Sequence, residues 1–240
     1  FGKVGAQPTH QELLDWMAVE FVNRGWSIKR INKVMMMSEA YQMASEYDNP
    51  SNVNVDLENN YLWRFRPQRL EAEIVRDSML AAGGNINLAI GGEPIFPFIP
   101  SDTLLGQYRG KWENTPEGPA AWRRGVYVYR RRSLPYPMFD TFDHPDMNVT
   151  AGARNVSTVP TQALTLLNNP FVLSQARYLA DRVRQQASDP YTQVNLAYQF
   201  ALARPATETE ATVGLELIKK QSLESFTHVV LNLDEFMYMR

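Results

Sequence analysis

The stretch Pro170-Phe171-Val172-Leu173-Ser174-Gln175-Ala176-Arg177-Tyr178-Leu179-Ala180-Asp181-Arg182-Val183 decides the fold class. Val172, Ala176, Leu179, Ala180 and Val183 recur at i, i+4, i+7, i+8 and i+11, which puts them on one face of an α-helix. Downstream, Asp189-Pro190 joins an N-cap residue to Pro at the first helical position. Thr207-Glu208-Thr209-Glu210, after the Pro205 break, has the spacing of a capping box. Phe226, Val229, Val230 and Leu233 supply a last apolar face. Upstream, Thr9-His10-Gln11-Glu12 fits a capping box with Thr9 as N-cap. Leu13, Leu14, Met17, Ala18, Phe21 and Val22 follow at helical spacing, and Gly25 ends that helix. Ser27 can cap a second helix, with Ile28, Ile31, Val34 and Met35 on one face. Residues 45–60 read as a loop. A third helix is expected from Pro67 to Ala82, with Leu70, Ile74 and Leu80 inward and Gly83-Gly84 as its stop.

The middle differs. Gly91-Gly92, Pro94, Pro97, Pro100, Pro116 and Pro119 make it loop-rich. Val126–Arg132 reads as a strand that pairs near Tyr108–Trp112. The expectation is one mainly α domain over residues 1–240, with a small antiparallel β-hairpin. It is helical over 1–90 and 136–240, with a loop-rich insertion at 91–135. The chain starts at Phe1 without an initiator Met, which reads as a domain truncated at its N-terminal end.

Composition bounds the chemistry. The chain has 240 residues, 44% hydrophobic and 21% charged, with mean hydropathy −0.36. Its net charge of −2 argues against a globally basic nucleic-acid binder. No cysteine is present, so this segment holds no disulfide, thiolate metal site, cysteine nucleophile or covalently attached c-type haem. Three histidines, His10, His144 and His228, are too few for a histidine-rich metal site. No apolar run is long enough to span a membrane.

Unusual polar residues concentrate between Arg123 and Asn169. Along a strand, Arg130 and Arg132 share one face and Arg131 the other. An arginine beside the core needs a carboxylate or an anionic ligand. Pro135-Tyr136-Pro137 can start a short helix with Phe139 and Phe142 inward. Asp140 and Asp143 then lie three apart on one face, and Pro145 ends the helix at His144. Carboxylates in a last turn face the negative end of the helix dipole, so Arg131, Arg132, Arg154 or a metal ion should compensate them. Asp140, Asp143 and Asp146 could serve a hard cation, but the spacing is not that of a calcium loop, and no metal site is assigned. Asp143 and His144 could form an acid–base pair. Ser133, Ser157 and Thr158 are available hydroxyls, but none stands in a nucleophile elbow. Paired carboxylates also suit a glycosidase. The candidate catalytic residues are therefore Asp140, Asp143, His144 and Asp146. Arg64–Arg69 interleaves basic and aromatic residues, yet Arg69, Glu71, Glu73, Arg76 and Asp77 alternate in sign, as on a solvated or internally paired face. Met35-Met36-Met37 reads as core filling.

Several motifs occur together. They include Pro8–Trp16, Gly25–Lys29, Arg69–Asp77, Arg131-Arg132-Ser133-Leu134-Pro135 and Phe142-Asp143-His144-Pro145-Asp146. Ser157–Leu164, Leu167–Val172 and Val230–Tyr238 complete the set. The chain resembles the planctomycete-type PSD domain, a domain of unknown function (DUF fifteen fifty-three). The resemblance implies the C-terminal part of a large exported or periplasmic bacterial protein that continues upstream of Phe1. A second domain of unknown function and a planctomycete-type cytochrome c domain commonly precede such domains. The implied partners are those upstream domains, sulfatase-like exported proteins or a glycan, with no nucleic acid and no membrane span. Haem c would sit in the upstream domains, with no cofactor in this segment. Family members often carry a Cys just before the arginine matching Arg154, where this chain has Thr150 and Ala151. The resemblance brings no established activity, so it transfers no catalytic residue. Arg131, Arg132, Ser133, Arg154, Gln162 and Asn168, within or beside these motifs, are the candidate binding residues. The leading expectation is a non-haem module that scaffolds or binds a glycan or a partner domain. The alternative is a hydrolase of polysaccharide with an Asp/His/Arg centre.

Overall fold

Proline at the first helical turn, with a polar cap just before it, starts several of the helices. The computed structural model describes residues 5, 7–104 and 112–239. About 51% of it is helical, with one small antiparallel sheet, as the apolar periodicity requires. The chain divides into two compact units, Phe1–Gln68 with Met239–Arg240, and Arg69–Tyr238.

The first unit holds α1 (Gln11–Asn23), α2 (Ile28–Met36) and α3 (Pro50–Val55). Helix α1 starts after His10 rather than Thr9, and no side chain caps it. The His10 ring instead reaches the Asn60 carbonyl at 2.6 Å. Gly25, at φ 72°, ends α1 in a Schellman turn, with Gly25 N on the Val22 carbonyl and Trp26 N on that of Phe21. Ser27 caps α2 as expected, accepting from Arg30 N. The expected 45–60 loop contains α3, because Asn49 caps it through two backbone N–H groups and Pro50 pre-sets its first turn. None of the three helices contains a buried residue. Met36 and Met37 are exposed, so the methionine run does not fill a core.

The sheet pairs β1 (Gln68–Arg69) with β2 (Tyr238–Met239). The second unit continues with α4 (Ala72–Ala82), α5 (Ser101–Leu104) and a short 3-10 turn at Gly125–Tyr127. Then follow α6 (Pro137–Thr141), α7 (Pro160–Asn168), α8 (Pro170–Gln186), α9 (Pro190–Leu202), α10 (Glu208–Lys220), α11 (Leu223–Leu231) and α12 (Asp234–Met237). All five residues of the α8 stripe are buried, and α8 packs on α4, α7, α9 and α11. Thr227 of α11 ties the pair by donating to the Ala176 carbonyl at 2.7 Å. The caps read at Asp189 and at Thr207 with Glu210 are present.

Two local readings change. Helix α4 starts at Ala72, since Arg69 belongs to β1, and this shifts its inward face to Ala72, Val75, Arg76, Met79 and Leu80. Ile74 is exposed. Residues 126–132 do not form a strand. Tyr127 and Tyr129 each bond to Ile95 at 2.8 Å, but the 3-10 turn at 125–127 exposes Val126 and breaks the alternation. The expected partner at 108–111 lies outside the described residues.

Candidate functional site

Helix α6 places the site. Pro137 starts it, and Met138 and Phe139 anchor it in the core. It ends at Phe142, one residue before Asp143, which adopts φ 58°. Aspartate tolerates this left-handed conformation better than most side chains. The turn takes Asp143 off the face it was expected to share with Asp140. Its carboxylate accepts from Nη2 of Arg69 at 2.5 Å, and from the backbone N and Oγ of Ser157, both at 2.8 Å. Gln162, buried on α7, backs this network by donating to the carbonyls of Thr141 (3.1 Å) and Ser157 (3.2 Å). The acceptor oxygens of Asp143 are thus taken by structure rather than offered to a ligand.

A second network centres on Glu73 of α4. Its carboxylate accepts from Nη1 and Nη2 of Arg154 at 2.7 and 3.2 Å and from Nη2 of Arg130 at 2.9 Å. The Arg154 Nε is also 3.2 Å from Glu71. Burial pushes the Glu73 carboxyl up, but the Arg154 hydrogen bonds and charge outweigh it and hold the group below the ordinary carboxylate range. His144 Nε2 is 3.4 Å from Glu73 Oε1 but makes no hydrogen bond. Its ring stacks on Phe139, with centroids 5.6 Å apart and planes 15° apart. Burial and then the charge of Arg130 hold the imidazole below its ordinary range, against the pull of Glu73. His144 is therefore neutral at pH 7.

Beside His144 opens a cleft of about 320 Å³. Arg130, Arg131 and Arg132 line it, as do Asp140, His144 and Asp146. Tyr129 and Tyr136 add aromatic wall, and Tyr129 stacks on Phe96 at 4.8 Å. Asp140 and Asp146 are exposed, and Asp146 accepts from the backbone N and Nδ2 of Asn148. Five of the expected residues thus meet in one cleft: Arg131, Arg132, Asp140, His144 and Asp146. Arg154 does not line it and is paired instead with Glu73 and Glu71. Asp143 and Gln162 form the adjoining network. Ser133 is exposed in the turn closed by Arg131 and Leu134, and Asn168 is spent on the Leu164 carbonyl at 2.9 Å. Among the described residues, no group of three histidine or acidic side chains is arranged to hold a metal ion.

The family model described as "Protein of unknown function (DUF1553)", PSD1, matches residues 1–218. The chain belongs to this family. No curated protein and no solved structure matches it. The match spans β1, α4, α6 and α7, so every residue of both networks lies within the PSD1 domain.

Sequence reasoning missed Glu73 and Arg69 as members of the site. The signal was the charge alternation along Arg69–Asp77, which does mark an internally paired face. Its partners stand 57 to 81 residues away, at distances that local spacing cannot report.

Proposed function

We propose that this chain is a non-haem binding module of an exported, cytochrome-associated multidomain protein, and that its ligand is an acidic glycan. The observation that carries the glycan reading is the mixed lining of the Arg130–Asp146 cleft. Arginine forks match sulfate or carboxylate groups. Asp140 and Asp146 are acceptors for sugar hydroxyls. Tyr129 and Tyr136 offer flat apolar surface for a pyranose face. The volume suits one or two sugar units of a longer chain. The cytochrome context and export are supported by the family resemblance alone, and a covalently attached haem c would belong to other domains, since this segment has no cysteine.

Binding to immobilised sulfated and uronate polysaccharides, compared with their neutral counterparts, tests the reading. Retention of the acidic forms is expected, and it should weaken as salt rises. Replacing Arg132 with Ala should reduce it several-fold. Equal retention of neutral and acidic polysaccharides, or none at all, overturns the acidic-glycan assignment.

One observation favours a second reading, hydrolysis. A neutral His144 lines the cleft with its Nε2 3.4 Å from the Glu73 carboxylate, which would orient the ring as a general base if the pair closed to a hydrogen bond. Asp140 or Asp146 would then supply the acid. Asp143, the expected neighbour in that role, accepts from Arg69 and Ser157 instead. Release of reducing ends from acidic polysaccharide, lost in His144→Gln, is the result that would establish it.

A further inference from the structure

Arg76, one helical turn after Glu73 on α4, has no role in the cleft. It is 2% exposed. Nη1 donates to the Arg123 carbonyl and Nη2 to the Ala121 carbonyl, both at 2.7 Å. These carbonyls fix the guanidinium plane but carry no net charge. Phe171 lies against the group, with its centroid 5.2 Å from Cζ. The nearest carboxylate is Asp77, 3.6 Å from Nη1, and its Oδ1 already accepts from Gly125 N at 2.6 Å. Nε is buried with no hydrogen-bond partner. A buried guanidinium with so little compensation is expensive, and an anion beside it would relieve that cost.

The same guanidinium lines a cavity of about 330 Å³. Its walls are flat and apolar: Pro97, Phe98, Trp122 and Phe171. Tyr136 also lines it, and its phenol, pushed up to about 12 by burial, stays protonated and able to donate. Among the described residues the hydroxyl has only the weak acceptor Met138 Sδ, at 4.0 Å. The other polar wall groups have partners. Asn114 bonds Ile99 through both its N and O, and Ser174 donates to the Pro170 and Phe171 carbonyls. Trp122 Nε1 donates to Glu117, whose carboxylate is the one acidic group among the described wall residues. That charge repels a second negative charge on a ligand and so selects a monoanion.

The geometry points to a second binding site in this cavity, for a small monocarboxylate on a flat apolar body, such as an aromatic carboxylate. The carboxylate faces Arg76 and Tyr136. The flat body packs between Trp122, Phe171 and the proline walls. This site is separate from the glycan cleft, although Tyr136 lines both.

Titration calorimetry of the full chain with benzoate, benzamide and phthalate tests it. Benzoate should bind at least about tenfold more tightly than neutral benzamide, since it gains charge-assisted bonds. Phthalate, a dianion, should bind more weakly than benzoate. Arg76→Met removes the buried charge and should abolish the preference, but it can also unfold the chain. Ser174→Leu is the second variant. It fills the cavity from α8, leaves Arg76 in place, and should lose benzoate binding with its helical circular dichroism intact. No benzoate binding by folded protein at about 10 mM, equal binding of benzamide, or retention of benzoate by Ser174→Leu each overturns the site.

Discussion

Nη2 of Arg69 lies 2.5 Å from Oδ2 of Asp143, and the Arg69 side chain is almost fully buried. The pair joins β1 to the turn after α6. Arg69 already has an unpartnered Nε, so it depends on this one carboxylate for charge compensation. Asp143→Ala should therefore cost about 3 kcal/mol, the range for stranding one member of a buried pair. Chemical denaturation measures this. Polysaccharide binding by the fraction that remains folded should change little, because Asp143 does not line the cleft.

Glu73 makes the opposite trade. Replacing it with Gln keeps the shape and removes the charge that Arg154 and Arg130 share. A loss of about 2 kcal/mol is expected from weakened charge-assisted hydrogen bonds. The titration of His144 should also move. Glu73 raises the imidazole pKa, so Glu73→Gln should lower it further. An NMR titration of the His144 ring follows this directly, and an upward movement would contradict the network.

Stability should fall in acid in two steps, one that begins as pH falls through 6.5 and one that begins as it falls through 4.5. His144 is depressed in the folded chain and titrates at 6.5 when unfolded. As pH falls through 6.5 the unfolded chain takes up a proton that the folded chain refuses, so stability is full above 6.5 and declines toward the folded pKa. Glu210 is held down at about 2 by hydrogen bonds from Arg204, against an ordinary value of 4.5. Its contribution is full above 4.5 and is lost as pH falls toward 2. Melting temperature against pH should show both losses. His144→Gln should flatten the upper step and leave the lower one.

Gly214 sets a packing limit. A Cβ there would meet Cε2 of Phe226 at 2.8 Å and Cγ2 of Val194 at 3.1 Å. Alanine favours a helix interior by about 1 kcal/mol over glycine. Phe226 is buried and cannot retreat, so an overpacking cost of about 1–3 kcal/mol should win. Gly214→Ala is expected to destabilise the chain on balance, as read by denaturant midpoint.

How much of this could be read beforehand follows from the range of each interaction. The α8 stripe and the caps at Ser27, Asp189 and Thr207 depend on residues within a few positions, and all were legible. Asp143 was not. Its left-handed turn is fixed by Arg69 and Ser157, which lie 74 and 14 residues away. Val126–Arg132 has β-forming residues, but among the described residues its bridges are isolated, Ile95 with Val128 and the local Arg131–Leu134 turn, and isolated bridges do not make a strand. The cleft was half legible: Arg131, Arg132, Asp140, His144 and Asp146 are close in sequence and meet. Glu73, which holds Arg130 and Arg154 beside it, comes from another helix.

The absence of any buried residue in α1, α2 and α3 has a consequence for handling the molecule. Helices without apolar anchoring open at little free-energy cost, so their amides should exchange with solvent deuterium well before those of α8 and α11. A protease at low dose should cut first within residues 11–55 and spare the fragment that carries both cavities.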